Sequence, residues 1–420
     1  MIKGKQLAIK LLQEKKTNDF LHTYEDIAIQ TGYSDRQLKR WMSMLRNKKD
    51  TDSILTHGNT GRQPVTTASD EEYKFMRELK KPYPNITITH FRDIFLEDIL
   101  GNPDKQDLVQ EYGLKPRSKE WFRKLFIKEG WDSPAAKPVR NGIGRDLHPI
   151  RAPMERAGML VQIDGTESDW FNNGTTLTLH NAVDDATTSI LAGWFMPDEC
   201  TTGYCYMMRI ILENYGKPVA LYSDRHSIFR AVKTGDISQF GMMMEDLGIK
   251  MIFALSSQAK GRVERSNQTV QYRLANDIIR FGIKDVDQLN DWYNDFYRKY
   301  LNKKFAFLPA DPNDAFTPMP DDFNYSSIFR GRMTRVMHDD MFSFETCYYS
   351  VVNSNGEILS FKNGTTVKLY LDVFTRDLYI EWYGNRYNCV KVGVRQRTPI
   401  EEAANEKEVA SLMRKYRNQI

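Results

Sequence analysis

Three carboxylates in the 420-residue chain are spaced as though they could share one task. Asp164 closes the apolar run Met159-Leu-Val-Gln-Ile-Asp, and Asp224 closes a second, Val219-Ala-Leu-Tyr-Ser-Asp. Glu264 follows a third apolar run, within Gln258-Ala-Lys-Gly-Arg-Val-Glu-Arg-Ser-Asn267. Short apolar runs read as strands, and in an open sheet ligands gather at the carboxyl ends of strands. An acid on a following helix can reach the same place. Without a cation, three such acids would repel one another and at least one would take up a proton, so the trio argues for metal. Two Mg²⁺ (or Mn²⁺) ions about 3.5–4 Å apart can activate an oxygen nucleophile and stabilise a leaving oxygen, the two needs of phosphodiester chemistry. Mg²⁺ prefers carboxylates and water. The expected division has Asp164 bridging both ions, Asp224 holding one and Glu264 the other. Asp184 and Asp185 are set aside, because a tight turn favours Asp for its own reasons.

Basic residues surround Glu264. Lys260 lies one turn before it on the same helix face, suited to a scissile phosphate, with Arg262 and Arg265 beside it. Asn267 follows by nearly a turn, and His226 follows Asp224 by two residues; both are auxiliary candidates. His226 either meets a phosphate or water, or is a loop histidine with a satisfied hydrogen bond.

The elements that must carry these residues alternate along 156–300. Strands are expected at 158–165, 175–183, 189–196, 218–224 and 249–255. Helices are expected at 201–215 (capped by Thr201), 238–247 (stopped by Gly248) and 258–281, with another at 287–300. This places Glu264 roughly two turns into its helix. The order β-β-β-α-β-α-β-α is that of a ribonuclease H-like α/β core.

Ahead of the core, residues 1–56 read as an all-α helix-turn-helix domain. Thr23 caps one helix with Asp26 in capping-box position, Gly32 turns, and Ser34 caps a second helix. That helix turns Arg36, Gln37, Lys39 and Arg40 outward and Leu38 and Trp41 inward, as a major-groove reader would. A purely structural helical hairpin remains an alternative at this point. Residues 57–68 form a polar linker in which Arg62 either reaches a minor groove or is simply solvated. Residues 69–131 read as a second helix-turn-helix domain. Its last helix, capped by Ser118, faces Trp121, Leu125 and Phe126 inward and Lys119, Arg123, Lys124 and Lys128 outward. A linker over 132–155, carrying Arg140 and Arg145, is expected to lie on a phosphate backbone.

Beyond the core, residues 327–394 alternate short Val-, Tyr- and Phe-rich strands with Asn-Gly turns, the pattern of a small β-barrel. Residues 400–420 form a charged helical tail. Basic residues exceed acidic ones 27 to 21 over residues 1–150, against 32 to 34 in the remainder, consistent with a DNA-gripping front half. The four cysteines are too few and scattered for a disulfide framework. No membrane span or signal peptide is legible, so no membrane partner and a cytoplasmic location are expected.

Four stretches together resemble a known family: Asp164-Gly-Thr, Asn181-Ala-Val-Asp-Asp-Ala-Thr, Leu221-Tyr-Ser-Asp-Arg-His-Ser-Ile-Phe and Gln258-Ala-Lys-Gly-Arg-Val-Glu-Arg-Ser-Asn. They are similar to the DDE transposase/integrase superfamily, and most to the ISNCY type of bacterial insertion-sequence transposases. The likeness includes a C-terminal barrel similar to that of phage Mu transposase. It implies that Asp164, Asp224 and Glu264 form the catalytic triad. It also implies hydrolysis at transposon 3′ ends followed by strand transfer into target DNA, in a bacterial cytoplasm at the nucleoid. Double-stranded DNA, both terminal inverted repeats and target, is the implied partner, held by at least a dimer. No zinc module is carried over. The Asp169-Trp170 pair is expected to shape the site. Two other readings stay open: a catalytically idle DNA-binding regulator, against which an intact triad speaks, and a nuclease of RNA–DNA hybrids, which needs no sequence reader.

Overall fold

The computed structural model describes residues 2–47, 54–55, 67–134, 151–224, 228–229, 237–254 and 261–394. They fall into two compact units, Met1–Glu78 with Gln110–Leu114, and Leu79–Val109 with Lys115–Ile420.

The first unit opens with α1 (Ile2–Thr17), α2 (Tyr24–Thr31) and α3 (Asp35–Arg46). Thr23 and Asp26 form a reciprocal capping box, Gly32 adopts φ 73° as the turn requires, and Ser34 accepts the Gln37 amide at the start of α3. Leu38, Trp41, Met42 and Leu45 are buried against Ala8, Ile9, Leu12 and Ile27. The spacing of these four puts one face of α3 in the core and leaves Arg36, Lys39 and Arg40 exposed. Helix α4 (Asp70–Lys80) begins after Ser69, whose hydroxyl accepts the Glu72 amide.

The second unit holds α5 (Ile88–Ile94), α6 (Gln106–Glu111, entering from this unit) and α7 (Lys119–Glu129). Helix α5 runs on into a π-helical turn, Phe95–Leu100. Phe91 meets Phe122, Phe126 and Trp131 edge-on, which binds α5 to α7. Phe122, not Trp121, fills this core: Trp121 is half-buried and stacks beneath Arg117.

The central sheet is ordered β3-β2-β1-β4-β5, from β1 (Val161–Ser168), β2 (Leu177–Asp184), β3 (Ile190–Met196), β4 (Ala220–Ser223) and β5 (Lys250–Phe253). The first three strands are antiparallel; β4 and β5 run parallel to β1. Strand alternation sends Val161 and Ile163 to one face, where α8 (Thr201–Asn214) and α9 (Gln239–Asp246) cover them with Met207, Met208, Ile211, Phe240 and Met244. Leu179, Val183 and Phe195 go to the other face, under α10 (Gly261–Phe281) and α11 (Val286–Trp292). The element order matches that expected from the sequence, with strand ends displaced by up to three residues. The helix expected at 287–300 extends from Val286 to Phe305 through a π-helical segment, Tyr293–Tyr297, into α12 (Arg298–Phe305).

Buried charge joins α5 to the core. His90 Nε2 lies 2.9 Å from Asp277, which also accepts the Tyr297 hydroxyl at 2.8 Å. Arg273 pairs with Asp93 at 2.7 Å, and Arg280 engages Glu97 at 3.0 Å together with Asp98. Lys304 closes the set on Asp93 and Glu97. Residues 79–109 and 115–129 of the expected second helical module thus belong to the same compact unit as the sheet.

Strands β6 (Arg330–Val336), β7 (Met341–Phe344), β8 (Cys347–Val352), β9 (Thr366–Asp372), β10 (Leu378–Trp382) and β11 (Asn385–Val394) make a second, antiparallel sheet ordered β6-β9-β10-β11-β8-β7. Arg335 of β6 donates to the Ser343 carbonyl of β7, so the two end strands approach each other. Among the described residues no helix is long and apolar enough to cross a membrane. The expected tail at 400–420 lies outside the described residues.

Candidate active site

Asp164 sits within β1, and Asp224 is the residue after β4. The two strands pair in parallel with Val161 beside Leu221 and Gln162 beside Tyr222. Carried two residues on, that register sets Asp164 level with Asp224 on neighbouring strands, which in any sheet lie about 4.8 Å apart. Both carboxylates act on the buried Tyr204 hydroxyl. Burial pushes its pKa well above the ordinary 10.0, and the charges of Glu199, Asp164 and Asp224 push it further.

Glu199 is the residue that sequence reasoning missed. A Cβ on residue 165 would stand 2.7 Å from the Glu199 carboxyl carbon, so only glycine after Asp164 lets that carboxylate lie where it does. Tyr204 donates to Glu199 Oε1 at 2.6 Å. The turn carrying Glu199 is held from below by His180 of β2. Its Nε2 accepts the Cys200 amide at 3.0 Å while its Nδ1 donates to the Trp194 carbonyl at 3.0 Å. Burial lowers the pKa of His180, and only the neutral ring can make both bonds. The expected cap at Thr201 is absent: the cap position is Cys200, which offers no side-chain bond.

Helix α10 lies on the same face of β1 as Asp164. Asn267 donates to Asp164 Oδ2 at 3.0 Å and accepts from Asn181 at 2.8 Å. Gln162 Oε1 accepts the Val263 amide at 3.1 Å, and Gln271 donates to the Thr166 hydroxyl at 2.7 Å. Asn267, an auxiliary candidate from the sequence, is thereby brought into direct contact with Asp164. Glu264 is exposed in the first described turn of α10, residues 258–260 lying outside the described residues, and among the described residues no group of three His, Cys, Asp or Glu side chains is gathered to hold a metal. The strand register sets Asp164 and Asp224 on neighbouring strands, and Asn267 touches Asp164.

The two turn aspartates have structural work. Asp184 accepts the Gly158 and Thr187 amides, each at 2.8 Å. Asp185 accepts Gln162 Nε2 at 2.7 Å, the Met154 amide at 2.9 Å, Arg262 at 3.1 Å and Arg151. Arg262 also donates to the Arg151 carbonyl, so its guanidinium is spent on the protein, whereas Arg265 is exposed. Trp170 is buried and donates to the Leu177 carbonyl, and Asp169 accepts the Asn173 and Gly174 amides; this pair shapes the β1–β2 loop. Among the other basic candidates, Lys39 is exposed but paired with Asp35 at 2.6 Å, and Gln37 is half-buried. Lys119, Arg123 and Lys124 are exposed, with Arg123 gripping Glu120 at 2.9 Å. Arg62, Arg140, Arg145, His226 and Lys260 lie outside the described residues.

The donor set of Asp164 and Asp224, two carboxylates level on adjacent parallel strands, one within β1 and one just past β4, fits a hard divalent cation such as Mg²⁺.

No protein-family model matches the chain. It is 28% identical over 338 residues to the transposase for insertion sequence IS1202 of Streptococcus pneumoniae, covering 74% of this chain and 70% of that protein. It is 39% identical over 181 residues to the putative transposase y4bF of Sinorhizobium fredii, a match that spans 42% of this chain and only 39% of the relative. Among solved structures it is similar to the HTLV-2 integrase catalytic core domain in complex with magnesium, at a TM-score of 0.26 and 18% identity, over 32% of this chain and 84% of that one.

Proposed function

We propose that this chain, a homologue of insertion-sequence transposases and so of the DDE transposase/integrase superfamily, cuts transposon 3′ ends and joins them to target DNA. The central domain is read as a ribonuclease H-like catalytic core and the C-terminal sheet as its small barrel. The observation that supports the reading is the register that sets Asp164, within β1, level with Asp224, just past β4, on parallel neighbouring strands, with Asn267 of α10 donating to Asp164.

Asp164 and Asp224 would hold divalent metal, with Glu264 as the third ligand. Bound there, Mg²⁺ supplies charge relief for the attacking and leaving oxygens of a phosphodiester. The protein's own contribution is orientation. Asn267 fixes the Asp164 carboxylate, and the amide of Asn267 is itself oriented by Asn181. Tyr204, kept protonated, donates to Glu199, whose carboxylate lies against Gly165 beside Asp164 in the chain. The exposed Arg36, Lys39 and Arg40 of α3 and Lys119 and Lys124 of α7 are read as phosphate contacts to double-stranded DNA. Arg265 is read in the same way, beside the scissile strand. Joining two ends calls for at least a dimer on DNA.

The test is strand transfer by purified protein on labelled DNA bearing the flanking inverted repeat, with Mg²⁺. Asp224→Asn should lose product by about a thousandfold, the worth of several kcal/mol of charge stabilisation, while binding DNA as before. DNA binding with no chemistry in the wild type would leave the idle regulator as the better reading.

A further inference from the structure

We infer that Gln162 is a positioning residue that holds the first described turn of helix α10 to β1, and through it sets where Glu264 stands relative to Asp164. This rests on the metal reading of the aspartates just given.

Helix and strand are joined at three matched points: Gln162 to the Val263 amide, Asp164 to Asn267 and Thr166 to Gln271. On β1 these are residues two apart, about 6.7 Å per step along a strand. On α10 they are four apart, about 6.0 Å per step along a helix. The two periods nearly coincide, so the helix can lie along the strand with every step bonded. Over both steps the mismatch reaches only about 1.5 Å, within the reach of a side-chain amide.

The first of the three bonds differs in kind. The other two join side chain to side chain, and either could yield without moving the helix backbone. Gln162 instead takes a backbone N–H from the first described turn, that of Val263. It therefore ties the helix backbone itself to the strand. Gln162 is fully buried, and its amide cannot turn over, because its Nε2 donates to Asp185, which accepts only. Asp185 is held in turn by the Met154 amide, Arg151 and Arg262, the last of these also on the first turn of α10. Two consecutive residues of the helix are thus fixed, Val263 to Gln162 of the strand that carries Asp164 and Arg262 to the Asp185 that Gln162 also holds, and Glu264 is the next residue.

A merely structural Gln162 would contribute to stability and to nothing else, so the test compares two of the three bonds. Mn²⁺ is titrated into the full-length, DNA-free protein and free ion is followed by electron paramagnetic resonance. Exchange of the Val263 amide is measured in the same samples. Gln162→Leu should weaken Mn²⁺ binding about tenfold, as loss of an outer support of a metal site does, and speed Val263 exchange. Gln271→Leu removes the bond two turns beyond Glu264 and should leave Mn²⁺ affinity within about twofold for a similar fall in Tm. If Gln162→Leu does not fold, Gln162→Asn, one methylene too short to reach, takes its place with the same expectation. Unchanged Mn²⁺ affinity in a folded Gln162 variant, or equal weakening in Gln271→Leu, overturns the inference. Asp164→Asn run alongside separates the two levels. If it leaves Mn²⁺ binding intact, the metal reading has failed; if it abolishes binding while the Gln162 variant does not change it, only the positioning role has.

Discussion

At position 180 an imidazole accepts the Cys200 amide and donates to the Trp194 carbonyl, with no room for a second proton. Burial depresses its pKa below the ordinary 6.5, so the unfolded chain binds a proton more readily than the folded one. The sign follows: its contribution to stability is fully present above pH 6.5 and is lost as pH falls below that value. Tm should therefore fall between pH 7 and pH 5.5, and His180→Gln should show a shallower fall from a lower starting Tm. A slope unchanged by the substitution would put the titration elsewhere. This histidine also marks the limit of what single residues disclose in the sequence. Asp164 and Asp224 can be singled out in the sequence because an acid ending an apolar run has few structural reasons to be there. His180 and Gln162 cannot, because they act through partners 20 and 101 residues away that only packing supplies. Tyr204, five residues from Glu199, needed the helix between them to be placed first.

Elements show the same division. Glycine in a helix normally costs about 1 kcal/mol relative to alanine, so replacing it usually stabilises. Gly203 of α8 should reverse that sign. A Cβ there would meet the His180 ring at 2.4 Å, and the ring is fixed at both nitrogens. Gly203→Ala should destabilise by about 1–3 kcal/mol in urea unfolding, as overpacking does, and a stabilised variant would contradict the contact. Helix α8 itself was legible from its periodicity, but its close seat on β2 was not. Capping was read well where a hydroxyl did the work, at Thr23, Ser34 and Ser118. It was misread at Thr201, where the first amides of α8 follow a cysteine held by a histidine from the sheet. The extension from Val286 to Phe305 was read short because the π-helical segment at Tyr293–Tyr297 breaks the 3.6-residue spacing on which the reading relied.

For the second compact unit as a whole, the decisive feature is the cluster of charges between α5, its π-helical turn, α10 and α12. Arg280 retains only 6% of its side-chain exposure, whereas Glu97 and Asp98 keep 34% and 30%. Removing a fully buried partner costs about 3–5 kcal/mol, and the partial exposure of its two acids lowers the expectation for Arg280→Met to about 2 kcal/mol. Urea unfolding followed at Trp131 and at Trp170 should show both midpoints falling together. A drop at Trp131 alone would mean that α5 and α7 let go first. None of this is visible in the sequence, because the acids that Arg273 and Arg280 meet lie about 180 residues away.

Helix α10 therefore has two jobs at once, since its first turn is tied to β1 and its last turns hold the charges that grip α5. At 1.5 Å per residue its 21 residues make a strut about 30 Å long. A continuous helix is stiff along its axis and transmits thrust and rotation rather than absorbing them. Any load placed on α5 is consequently borne by the same rod that carries Glu264, and a rotation of that rod by one residue's arc would swing the acid about 100° around its axis.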